Sequence, residues 1–182
     1  PAVDPNVPLP PSILAAARRH AEGLGRAQGR TLVLRSGSES EARAVACAVA
    51  TAMDRQALFI TGARVPALTP WVLAGDLLPV FIRSPGPGEV DRLPGMPLYS
   101  GPVTAIAGPD GAISRGGAPA LSWRIPVPPV TERTALWAAA LGETDFAAQF
   151  AADHRHRVGR IADLGRLTRH RAEMLGRAPT LV

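Results

Sequence analysis

Five short runs of β-forming apolar residues recur through the first 130 residues, and no other feature constrains the fold as much. They are TLVLR (31–35), ALFIT (57–61), LPVFIR (78–83), PVTAIAG (102–108) and LSWRIPV (121–127). Strands that are apolar throughout, rather than alternating, belong to a sheet buried on both faces. Helical stretches lie between several of these runs. ILAAARRHAEGL (13–24) places Ile13, Leu14, Ala17, Ala21 and Leu24 at helical spacing, with Gly25 after it. EARAVACAVATAM (41–53) is a small-residue helix with Val45, Ala48, Val49, Ala52 and Met53 on one stripe. TPWVLAGDL (69–77) reads as a helix opened by Thr69 with Pro70 in its first turn. Beyond residue 130 the pattern is helical only: ERTALWAAAL (132–141), which Thr131 can cap, then TDFAAQFAADH and RVGRIADLGRLTRHRAEML. The expected fold is therefore α/β, a parallel sheet layered with helices and followed by a small α-helical appendage.

The boundaries follow from composition. Residues 1–12 hold five prolines and read as a linker entering from an upstream segment of a longer protein. Residues 13–130 form the α/β subdomain and 131–182 the helical one. Residues 84–101 are dense in Gly and Pro and read as loop, and PDGAISRGG (109–117) as a turn that can return as a hairpin.

Composition removes several chemistries. All 20 basic residues are arginine, so a Schiff-base lysine, a lysine general base and the lysine of a standard phosphate loop are excluded. The net charge of +5 is modest. One cysteine, Cys47, excludes an internal disulfide and a cysteine-only metal site. No stretch approaches the roughly 20 apolar residues of a membrane span. The N-terminus lacks the pattern of a secretory signal, so the chain is read as cytoplasmic, without a membrane partner.

One junction has the setting of a phosphate-binding loop: strand, Gly/Ser turn, small-residue helix. The pattern G-x-x-x-x-G-K-[ST] lies over Ser36, Gly37, Ser38, Glu39, Ser40, Glu41, Ala42 and Arg43 without a gap. Ser36 and Glu41 take the two glycine positions, Ala42 the lysine and Arg43 the hydroxyl residue. Ala42 offers no charge to phosphate, Glu39 and Glu41 repel it, and Arg43 cannot ligate magnesium. The apolar strand 78–82 ends in Arg83 and Ser84, where a P-loop ATPase has acidic residues. The same residues also suit an ordinary strand–turn–helix junction, with Ser38 or Ser40 as N-cap and Glu41 favouring the helix dipole.

The stretch LVLRSGSESEARAVACAVATAMDRQALFI resembles the opening of an AAA+ ATPase domain. RIPVPPVTERTALWAAAL resembles the junction into that family's helical lid, and TDFAAQFAADHRHRVGRIADLGRLTRHRA resembles the lid, with Phe150 and Ile161 at apolar positions. The junction is similar to that of AAA+ ATPases associated with phage-tail-like contractile injection systems, and the resemblance covers roughly residues 13–175. It implies a P-loop NTPase fold, a three-layer parallel sheet of order 5-1-4-3-2 with a lid, and assembly with other AAA+ domains or subunits. The sequence departs from the family at both nucleotide motifs, and Ala162 and Asp163 stand after Ile161 where a lid sensor arginine is sought.

Three functional classes follow. The first is a degenerate AAA+ module, nucleotide-free and without cofactor, serving as scaffold or assembly domain of a larger ATPase. The second is an active ATPase in which Arg35 or Arg43 replaces the lysine and ATP·Mg²⁺ is retained. The third is a basic nucleic-acid-binding domain; the arginines of the last helix are spread around its surface, and nucleic acid is not the expected partner. Arg133 is a candidate phosphate or interface contact, or else pairs locally with a carboxylate, while Glu132 supports the start of its helix. Cys47, His20, His154, His156 and His170 are read as a core thiol and solvated imidazoles, with His154 and His156 facing different ways on a helix and no metal bound. Trp137 is expected to pack between lid and sheet.

Overall fold

The computed structural model describes residues 7–26, 29–62, 68–116, 118–142 and 146–176. The remainder of the expected linker, residues 1–6, and Gly117 of the expected hairpin lie outside the described residues. The elements in chain order are α1 (Pro11–Gly25), β1 (Thr31–Arg35), α2 (Glu39–Ala52), β2 (Gln56–Ile60), α3 (Leu68–Ala74), β3 (Leu77–Ile82), β4 (Val90–Arg92) and β5 (Val103–Ala107). They continue with β6 (Ala112–Arg115), β7 (Ala118–Pro119), β8 (Leu121–Arg124), α4 (Val130–Leu141), α5 (Ala147–Asp153) and α6 (Val158–Met174). The chain divides into two units: Leu14–Ile125, and Pro1–Ile13 together with Pro126–Val182. The described part of the N-terminal segment is thus grouped with the C-terminal helices.

The larger unit is built on a five-stranded sheet, β2-β3-β5-β1-β8, in which every pairing is parallel. Counted among these five strands alone, the order from the β8 edge is 5-1-4-3-2; β4, β6 and β7 fall outside this sheet. The burial pattern explains the apolar runs. All five residues of β5 are buried, as are four of five in β1 and the middle four of β3. Helix α2 lies close because its inner residues are small: Ala42, Val45, Ala46, Val49 and Ala50 are all fully buried. A core of Val33, Ile60, Leu68, Val72, Phe81, Val103 and Ala105 is extended by Leu93, Met96, Tyr99 and Ile113.

Three of the latter residues come from the segment expected as loop. It carries β4, which pairs parallel with β6, and β6 pairs antiparallel with β7, making a second sheet of three short strands. The helix starts also differ from the sequence reading. Leu68 already belongs to α3, and α4 begins at Val130 behind Pro129, so Thr131 lies inside the helix and does not cap it.

The smaller unit packs α4 against α5 and α6. Its interior includes Leu136, Trp137, Ala147, Ala151, Val158 and Ile161. At Gly165 a Cβ would lie 2.7 Å from the Ala140 methyl, so a side chain there would force α4 and α6 apart. Gly142 ends α4 in the left-handed conformation, φ 75°, and its N–H bonds Ala138 O.

Candidate functional site: the turn between β1 and α2

The turn that follows β1 is closed by its own side chains. Ser38 is the N-cap of α2, and its hydroxyl accepts from the Glu41 N–H at 3.4 Å. The Ser36 hydroxyl donates to Glu41 Oε2 at 2.5 Å and accepts from the Ser38 N–H at 3.0 Å. The Ser38 and Ser40 hydroxyls are 2.9 Å apart. Glu41 is fully buried and Ser36 is 8% exposed. A carboxylate inside a protein stays only where hydrogen bonds replace its water, and the Ser36 hydroxyl is one of those replacements.

The cations at this junction are also engaged. Arg35 ends β1 and donates to Ser122 Oγ at 2.8 Å, Gly108 O at 2.9 Å, Asp110 O at 3.0 Å and Gly111 O at 2.7 Å. It ties the end of β1 to the β8 edge and to the turn between β5 and β6. Arg43 donates to Glu39 one helical turn back at 2.8 Å and stacks 4.7 Å over the Phe59 ring. Ala42, in the position between Glu41 and Arg43, is fully buried.

Across the sheet, β5 lies between β1 and β3. The Arg83 N–H continues the ladder to Ile106 O at 2.9 Å, so Arg83 and Ser84 leave the sheet near the level of the turn. The Arg83 guanidinium lies 3.5 Å from the Asp91 carboxylate and donates to Gly62 O at 3.3 Å. Ser84 is exposed. The topology therefore brings the turn and the end of β3 to one edge of the sheet, one strand apart.

Arg133 and Glu132 lie in the other unit. Arg133 is 7% exposed, donating to Ala151 O at 2.5 and 3.2 Å and to Pro128 O at 2.7 Å. Its partners are carbonyls, not the carboxylate expected, because two backbone acceptors at the end of α5 and before α4 stand within reach of one planar fork. Glu132 stands in the first turn of its helix as expected, and both its oxygens also accept from Ser12, one from the N–H at 2.8 Å and the other from the hydroxyl.

The histidines are corrected too. Residues 154–157 are not helical, and the rings of His154 and His156 stack at 5.5 Å instead of facing apart. Burial is the main cause that lowers the His156 pKa, with His154 and Arg160 adding to it. Cys47 is half-buried, and burial raises its thiol pKa against the opposing pull of Arg43. Among the described residues no three His, Cys, Asp or Glu side chains gather as a metal-binding group, and no helix is long and apolar enough to cross a membrane.

Glu41→Ala removes the acceptor of the buried Ser36 hydroxyl and should cost about 1–3 kcal/mol in urea unfolding. A loss indistinguishable from zero would mean that the Ser36–Glu41 bond does not hold the turn.

No protein-family model matches the chain, and no curated protein does. Among solved structures it is similar to two point-mutant forms of Thermotoga maritima RuvB. One is 14% identical with a TM-score of 0.45, over 93% of this chain and 64% of that one. The other is 15% identical with a TM-score of 0.49, over 92% and 63%. A third likeness, Saccharomyces cerevisiae RIF2, is 8% identical with a TM-score of 0.33, over 90% and 70%. The chain thus spans just under two thirds of the length of the RuvB chains it resembles.

Proposed function

We propose that this chain is a degenerate AAA+ module, a P-loop-type α/β fold with a helical lid that serves as scaffold or assembly domain of a larger ATPase. Its partners are other domains or subunits of that assembly, in a cytoplasmic setting tied to a contractile injection system. The observation that carries the reading is the buried Glu41 carboxylate bonded to Ser36, the two residues that stand at the glycine positions of the loop. Where a phosphate loop turns free N–H groups and a lysine toward its ligand, this turn is closed on a carboxylate.

The residues do not fit ATP·Mg²⁺. Ala42 is fully buried and brings no charge to the lysine position, so a lysine there would have to thread its stem through packed surroundings. Arg35 is held by three carbonyls and a hydroxyl, and Arg43 by Glu39, so neither stands free as a substitute cation. The end of β3 offers a guanidinium already facing Asp91. Phosphoryl transfer rests on positioning and charge stabilisation, and these side chains provide neither.

Titration calorimetry of the chain with ATP·Mg²⁺ should give no saturable binding below about 1 mM. Ala42→Lys should bind no better and should lower stability. A dissociation constant under about 10 μM for the wild-type chain, or ATP turnover abolished by Arg43→Ala, would overturn the reading in favour of an active ATPase with an arginine-based loop.

A further inference from the structure

A cavity of about 510 Å³ opens at the opposite end of β1 from the Ser36–Glu41 turn. Arg19, Arg30, Arg115, His20 and Thr31 line it, with Leu24 and Leu121 as apolar wall. Thr31 begins β1 and Arg35 ends it, so about 13 Å of strand separates this cavity from the turn.

Its polar groups are incompletely satisfied. Arg30 donates to Gly23 O at 2.6 Å, and Arg115 to Gly101 O at 3.0 Å and Tyr99 O at 3.2 Å. These carbonyls orient the guanidinium groups without neutralising them. Among the described residues none of the three arginines forms an ion pair, and no acidic side chain lines the cavity. Thr31 is only 7% exposed, yet its hydroxyl has no hydrogen-bond partner among the described residues. A buried hydroxyl without a partner is costly and calls for an explanation. His20 is held in place by stacking on Trp123 at 4.3 Å.

We infer that this cavity is a binding site for a small organic phosphate, its dianion held by Arg19, Arg30, Arg115 and the Thr31 hydroxyl and its apolar body lying against Leu24 and Leu121. Three uncompensated guanidinium groups favour a dianion over a singly charged carboxylate. The volume exceeds what inorganic phosphate fills, and the leucines would remain uncovered by it. Burial, then the charge of Arg19, holds the His20 pKa down. The inference is independent of the function proposed for the turn.

Calorimetry with phenyl phosphate tests it, with inorganic phosphate, phenol and a random-sequence DNA duplex as further arms. Phenyl phosphate should bind with a dissociation constant below about 1 mM, roughly tenfold tighter than inorganic phosphate, and phenol should not bind measurably. Arg19→Ala should weaken binding about tenfold and Thr31→Val about fivefold, the latter without lowering the melting temperature. Glu41→Gln should leave the affinity unchanged. No heat up to about 10 mM phenyl phosphate, or equal affinity in both cavity variants, would overturn the site. Duplex binding that Arg19→Ala abolishes and phenyl phosphate fails to compete would assign these arginines to a nucleic-acid surface instead, and would equally overturn it.

Discussion

Arg133→Ala is expected to destabilise the helical unit by about 3 kcal/mol, since it leaves two interior carbonyls without donors. Pro128 O and Ala151 O each accept from this guanidinium, at 2.7 Å and 2.5 Å in their shortest contacts. Ala151 lies in the last turn of α5, where helical carbonyls have no partner of their own, and a cation there also suits the helix dipole. Arg133→Lys should recover less than half of the loss, because a point ammonium cannot reach both carbonyls in the plane that the fork spans. The measurement is urea unfolding followed by circular dichroism at the helical band. A loss under about 1 kcal/mol for the alanine variant would show that water replaces the arginine readily.

Trp137→Ala should cost about 3–5 kcal/mol. Trp137 is 4% exposed and meets Phe150 at 5.4 Å and His156 at 6.1 Å between ring centroids. The ring is one of four in sequence around the same spot, since Phe150 meets His154 at 5.7 Å and His154 meets His156. Deleting it removes the largest apolar surface of the group and opens a cavity that short helices close poorly. Trp137→Phe separates burial from hydrogen bonding. The indole N–H has no partner among the described residues, so phenylalanine gives up area while removing an unsatisfied donor, and should cost less than about 1.5 kcal/mol. Equal losses for phenylalanine and alanine would mean that the indole nitrogen finds a partner after all.

The large sheet was legible because its inner strands, β1, β3 and β5, are buried on both faces, which leaves uninterrupted apolar runs such as LPVFI, while the edge strands β2 and β8 bury one residue each. The second sheet was not. β4 reads VDR and buries none of its three residues, so it carries neither an apolar run nor an alternation. Its contribution to the core comes from Leu93, Met96 and Tyr99, spaced along a Gly/Pro segment without period. The turn after β1 was legible as a helix start, and Ser38 takes the cap that its position suggested. The burial of Glu41 was not legible, because a glutamate in a first helical turn ordinarily faces water and complements the dipole. Only the neighbouring packing decides that its carboxylate turns inward to Ser36. Arg133 illustrates the same limit from the other side. A sequence advertises carboxylates as partners for arginine but says nothing of which backbone carbonyls the fold leaves open. The histidine pair was misread for a simpler reason: the helix assumed through residues 154–157 is broken there, and the angular spacing of a helix no longer applies.

The close passage of Gly165 past Ala140 has a bearing on how this sequence can vary. Even alanine at 165 would set two methyl carbons 2.7 Å apart, well inside contact distance, and glycine at 140 would relieve that pair while leaving the Ala140 backbone atoms at 3.2–3.3 Å from the new carbon. The two positions therefore do not trade freely with each other. In a library of random substitutions, 165 should behave as a column with a single tolerated letter, although it contacts no proposed ligand.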